Sequence, residues 1–143
     1  DPKKRMLFNP QESIEFQGHT GPFVQYSHAR ISAILRRAKS LEVNTTFDAE
    51  KVGELNKREA DLIFRITEFT KALQESAKEY SPAVMAQYAY DLAKEYNGFY
   101  QEVPIFNEDN KDKLAFRVVL SSLTAKLIKE SMSLLGIEVP ERM

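Results

Sequence analysis

Apolar residues recur at spacings of three and four along most of the chain, the signature of helices with one buried face. From Pro22 to Leu41, Val24, His28, Ile31, Ile34, Leu35 and Ala38 share a broad face at 100° per residue, while Tyr26, Arg30, Ala33 and Arg37 share another. Thr20 or Gly21 caps this helix, and Pro22 suits its first turn, where no backbone N–H is needed. Residues 42–53, with Asn44-Thr45-Thr46 and Gly53, read as a loop. A second helical stretch covers Leu55 to Tyr80 on Ala60, Ile63, Phe64, Ile66, Phe69, Ala72, Leu73 and Ala77, with a break predicted at Thr67-Glu68. Ser81 as cap and Pro82 start a third, whose stripe is Met85, Tyr88, Ala89, Leu92, Ala93, Tyr96, Phe99, Tyr100 and Val103; Pro104 ends it. After a polar loop at Asn107–Asn110, a last helix runs from Asp109 to Leu135 on Leu114, Val118, Leu120, Leu123, Leu127, Ile128, Leu134 and Leu135. Gly136 stops it in the left-handed conformation, Ile137 packs back, and Glu138–Met143 is an extended tail read as the end of the protein. Ahead of these helices, Met6-Leu7-Phe8 and Ser13-Ile14-Glu15-Phe16 flank the turn-prone Asn9-Pro10 and predict an irregular or β lead-in, at most a small hairpin. The expected architecture is all-α: a bundle of four to five helices over residues 21–143, preceded by a lead-in of residues 1–20.

Composition agrees with a globular domain. The 143 residues are 43% hydrophobic and 29% charged, which suffices for a core without metals or disulfides. No cysteine is present, so disulfides, thiolate zinc sites and cysteine nucleophiles are excluded, and a cytoplasmic location is expected. No run of about 18 apolar residues suggests a membrane span and no signal peptide is apparent. The chain begins with Asp1, as expected of a segment of a longer protein. The net charge of −1 hides an asymmetry. Residues 1–40 carry Lys3, Lys4, Arg5, Arg30, Arg36, Arg37 and Lys39 against Asp1, Glu12 and Glu15, which is either solvated charge or a surface for a polyanion.

No catalytic residue set emerges. The five glycines form no phosphate-binding loop or dinucleotide fingerprint, and no Glu-x-x-His pair offers a metal site. His28 lies on an apolar helix face, where a hydrogen-bonded, partly buried histidine is expected. The face with Tyr26, Arg30 and Arg37 is the better candidate: an aromatic ring beside guanidinium groups can stack an unpaired base and hold its phosphate. Alternatively, Tyr26 packs on a neighbouring helix and the arginines pair with glutamates of residues 42–95.

Three ordered motifs then carry a family resemblance. Thr20-Gly21-Pro22-Phe23-Val24-Gln25-Tyr26-Ser27-His28-Ala29-Arg30-Ile31 resembles the Thr-Gly-Pro-(aromatic)-x-Gln-Tyr-x-x-Ala-Arg-Ile signature of arginyl-tRNA synthetases, which opens their C-terminal, DALR-type anticodon-binding domain. Tyr90-Asp91-Leu92-Ala93 with Asn97-Gly98-Phe99-Tyr100, and the terminal Leu134-Leu135-Gly136-Ile137-Glu138-Val139-Pro140-Glu141-Arg142-Met143, are similar to two further family stretches. His19, which follows Gly18 just ahead of this motif, departs from the asparagine, aspartate or lysine more usual there in the family. The resemblance implies an all-α bundle cradling the anticodon stem-loop of arginine tRNA, and a lead-in joining a class I catalytic domain of the same polypeptide. That domain's His-Ile-Gly-His-like and Lys-Met-Ser-Lys-Ser-like ATP signatures are missing from this sequence. The implied reaction is arginine adenylation with ATP and magnesium, then transfer to the tRNA's terminal adenosine, outside this segment. The family commonly needs tRNA even for activation. By the same resemblance Tyr26, Tyr100 and Met143 would form a pocket for a flipped anticodon base, with Gln25, Arg30 and Asn97 near it; Arg36 and Arg37 are phosphate candidates by charge and face. No DNA or membrane partner is implied. The competing reading is a helical protein–protein interaction module without RNA binding.

Overall fold

In the computed structural model, residues 9–15 and 18–143 are described. The chain opens with a single helical turn, α1 (Pro10–Ser13), because Asn9 Oδ1 accepts from the Gln11 N–H at 3.1 Å and proline occupies the first turn. The Asn-Pro pair therefore starts a helix rather than a hairpin turn. Ser13 closes it and Ile14 stays in the αR region, against the extended reading of this stretch. Met6–Phe8 and Phe16 lie outside the described residues, among which there is no strand.

Five longer helices build the bundle. In α2 (Gly21–Ser40) Thr20 Oγ1 caps the Phe23 N–H at 3.2 Å. A 3-10 turn at Ala49–Lys51, capped by Asp48, interrupts the loop that follows. Asn56 and Glu59 form a capping box, each side chain accepting from the other's backbone N–H, so α3 (Lys57–Thr67) begins two residues later than periodicity suggests. The predicted break falls at Glu68, the junction to α4 (Phe69–Lys78). Helix α5 (Pro82–Glu102) starts after Ser81, whose side chain makes no capping hydrogen bond, contrary to expectation. Asn110 Oδ1 caps Asp112 and Lys113 and sets the start of α6 (Lys111–Leu134). Gly136 has φ +72° and Ile137 N–H returns to Met132 O, the expected glycine stop; Ile137 itself stays exposed, and Leu135 and Val139 pack against the core instead.

Helix α5 is the axis, in contact with α2, α3, α4 and α6. Leu92, Ala93, Tyr96 and Phe99 are fully buried and meet Ile31 of α2, Leu62 of α3 and Ile128 of α6 in one core. Several residues assigned to apolar stripes are exposed instead: Phe64, Leu73, Tyr100, Leu123 and Leu134. In their place α6 buries Arg117, Ser121, Thr124 and Ser131. The three hydroxyls donate to the carbonyls four residues earlier, which satisfies them without outside partners. Their small size lets α6 sit close to its neighbours, and the Tyr96 hydroxyl donates to Ser121 Oγ at 2.9 Å.

A buried ionic cluster fastens α3 to α6. Glu59, with no solvent exposure, accepts from Arg117 Nε at 2.7 Å and lies 3.2 Å from Lys113 Nζ. Arg117 also donates to Pro104 O at 3.2 Å and pairs with Glu108 at 2.8 Å, so one side chain clamps both ends of the segment joining α5 to α6.

Candidate nucleic-acid interface

The motif Asn97-Gly98-Phe99-Tyr100 sends four consecutive residues in four directions around α5. Phe99 enters the core. Gly98 leaves room for Arg58 of α3, which pairs with Glu95 and Glu102; a Cβ there would stand 3.1 Å from the guanidinium. Asn97 turns to α2, where its amide donates to Ser27 Oγ at 2.8 Å and its carbonyl oxygen accepts from Arg30. Tyr100 faces outward, 43% exposed.

These contacts place Arg30 between two phenol rings. Its guanidinium carbon lies 4.9 Å from the Tyr26 ring centre and 5.3 Å from that of Tyr100, and both rings keep exposed surface. Asn97 holds the guanidinium from the core side, so the stack is oriented rather than mobile in solvent. Seven residues further along α2, Arg37 lies over the Phe106 ring at 4.6 Å. Between the two stacks runs a groove of about 640 Å³, lined on one side by Arg30, Ala33, Ile34 and Arg37 and on the other by Tyr100 and residues 103–107. Among the described residues no acidic side chain lines it, and Arg30, Arg36 and Arg37 make no ion pair within 4.0 Å. The pairing of these arginines with glutamates, the alternative left open by periodicity, is therefore not what the fold adopts. The groove combines positive charge with aromatic faces, the chemistry that binds single-stranded nucleic acid.

A different face of α2 holds the tail. Gln25 Nε2 donates to Glu138 O at 2.8 Å, the buried His28 ring nitrogen Nδ1 meets Pro140 O at 2.9 Å, and Arg36 Nη1 donates to Glu141 O at 3.0 Å. His28 is thus a hydrogen-bonded histidine, as expected. Two of the residues singled out for RNA, Gln25 and Arg36, are engaged with the tail main chain. Met143 is exposed two residues beyond the last anchored carbonyl and does not line the groove; Tyr26 joins the groove through Arg30. Sequence reasoning missed Phe106, for which the available signal was an aromatic residue in the loop directly after the helix carrying Tyr100. Among the described residues no group of three or more His, Asp or Glu side chains is arranged to hold a metal ion, and no helix is long and apolar enough to cross a membrane.

Comparison with known proteins assigns a family to this architecture. Residues 24–143 match the DALR anticodon binding domain. Over all 143 residues the chain is 49% identical to an arginine–tRNA ligase of Flavobacterium psychrophilum and 47% identical to one of Parabacteroides distasonis, spanning 23% and 24% of their lengths. Among solved structures, the Thermus thermophilus arginyl-tRNA synthetase superposes with a TM-score of 0.85 at 33% identity, over 99% of this chain and 24% of that one. The chain thus spans about a quarter of the relatives it matches, and it belongs to the DALR anticodon binding domain family.

Proposed function

We propose that the groove-bearing face of this chain binds the anticodon stem-loop of arginine tRNA, as the anticodon-binding domain of an arginine–tRNA ligase. The observation that carries this reading is the Tyr26–Arg30–Tyr100 stack, two exposed rings about one oriented guanidinium, on a member of the DALR family. In this reading an unpaired anticodon base stacks at Tyr26 and Tyr100. Arg30 and Asn97 fix the stack, and Met143 closes over the base from the tail that Gln25 anchors. Arg37, and the N–H groups of Arg36 not used by the tail, meet the phosphates. The bundle of residues 21–143 is the RNA-binding unit and residues 1–20 join it to a catalytic domain of the same polypeptide. That domain carries out arginylation with ATP and magnesium in the cytoplasm; this chain contributes no catalytic residue. The family match favours this reading over a protein-interaction module without RNA binding.

The test is a fluorescence titration of the 143-residue chain with the arginine anticodon stem-loop and with an unrelated one. Tyr26→Ala or Tyr100→Ala should weaken binding to the cognate loop by about 1–3 kcal/mol while helical circular dichroism is unchanged. Equal binding of both loops by the unmodified chain refutes the proposal.

A further inference from the structure

We infer that the groove holds a second unpaired nucleotide, on a platform made by Phe106 and Arg37, in addition to the base at Tyr26 and Tyr100; this rests on the RNA-binding reading above. Two guanidinium–aromatic stacks line one face of the molecule, Arg30 with Tyr26 and Tyr100, and Arg37 with Phe106. Residues 30 and 37 are seven positions apart on α2, about 10 Å at 1.5 Å per residue. That spacing along the helix is about three times the ~3.4 Å rise of one nucleotide in a stacked strand, so it matches neighbouring nucleotides rather than one. The groove joining them, about 640 Å³, is of the size that takes a small molecule rather than one side chain.

The Phe106 platform is also built rather than incidental. The segment that carries it is short, and its two flanks are tied to one buried side chain: Arg117 donates to Pro104 O and pairs with Glu108, while Glu59 holds Arg117 from behind. Ile105 is buried beneath the loop, which leaves the neighbouring Phe106 ring partly open to the groove. Arg37 lies over that ring, an arrangement in which a guanidinium offers its free face to a base and its N–H edge to a phosphate. The nucleotide recognised there is unpaired, because a base within a duplex has no free face to stack.

The experiment is a titration with the cognate stem-loop and a set in which each loop nucleotide in turn is made abasic, using the unmodified chain, Phe106→Leu, Phe106→Tyr and Tyr26→Ala. Phe106→Leu keeps the apolar contact but removes the ring. It should bind the intact loop about 5- to 150-fold more weakly, the range of one lost base stack, with an unchanged melting temperature. Phe106→Tyr should retain binding. One abasic position should abolish the Phe106→Leu penalty while leaving that of Tyr26→Ala, and a different position should do the reverse. If Phe106→Leu binds every loop like the unmodified chain, or if one abasic position erases both penalties, there is no second site, and the base at Tyr26 stands alone. If the unmodified chain does not prefer the cognate loop at all, both readings fall together.

Discussion

Among the described residues Arg30 has no carboxylate partner, yet three groups hold it: Asn97 through a hydrogen bond and two phenol rings through their faces. Such contacts orient a cation without neutralising it, so the charge stays available to a ligand. Arg37 is in the same condition over Phe106. A phosphate bound by Arg37 displaces a condensed counterion, which fixes the measurable consequence. Arg37→Gln should lower the steepness of log affinity against log salt by about 0.7, the single-strand value per contact, in a stem-loop titration from low to moderate salt. An unchanged slope with weaker binding would mean that Arg37 only stacks. The helical part of this site was legible in the sequence, because 100° per residue places Tyr26, Arg30 and Arg37 together whatever packs around them. Phe106 was not, because a loop has no period, and its position depends on Arg117, a residue 11 places further on that looks like an ordinary surface charge.

At the level of elements, the helices were readable wherever their ends carry local signals. Thr20 with Pro22, the Thr67–Glu68 junction, Pro82 and Gly136 all act within a turn of themselves, and the helices begin or end at them. The faces were less readable. Helix α6 keeps Val118, Leu120 and Ile128 of the expected stripe in the core, but it also buries an arginine and three hydroxyl residues and exposes Leu123 and Leu134, so a stripe drawn from side-chain type alone is only partly right. For Arg117 the reason is the Glu59 cluster, which turns it inward. Burial pushes the Glu59 carboxyl up, but the Arg117 hydrogen bond, the Asn56 backbone N–H and Lys113 outweigh it and leave it below the ordinary carboxylate value. A carboxyl group with a lowered folded-state pKa stabilises the fold above its unfolded value of about 4.3, and that contribution is lost as pH falls through the folded-state pKa. Urea unfolding should therefore show stability falling below about pH 4.3. Glu59→Gln should cost about 1.5–3 kcal/mol at neutral pH, since Arg117 and Lys113 lose a buried counter-charge while Arg117 keeps Glu108 and Pro104 O, and should flatten the acid limb. An acid limb as steep as that of the unmodified chain would show that other carboxylates dominate it.

Across the whole molecule, α2 works on three sides. One face enters the core through Val24, Ile31 and Ile34, a second carries the groove arginines, and a third clasps the tail. The clasp draws on three side chains spread over three turns of α2, each meeting a main-chain carbonyl of residues 138–141, so it fixes the path of the tail without specifying its side chains. That division separates two ways in which Gln25 can matter to RNA. If it acts by holding the tail that ends in Met143, its effect requires the tail; if it touches RNA itself, its effect does not. Removal of residues 138–143 should leave the helices formed, because the fully buried side chains all precede residue 133 and the segment adds only the partly buried Val139 to the core. It should nevertheless weaken stem-loop binding. Gln25→Ala, which deletes one hydrogen bond worth about 0.5–1.5 kcal/mol, should weaken binding up to about tenfold in the full chain and not at all in the shortened one. The two changes then fail to add, as expected of groups acting as one unit. Full additivity in the same titration would instead place Gln25 directly on the RNA and reduce the clasp to a structural fastening.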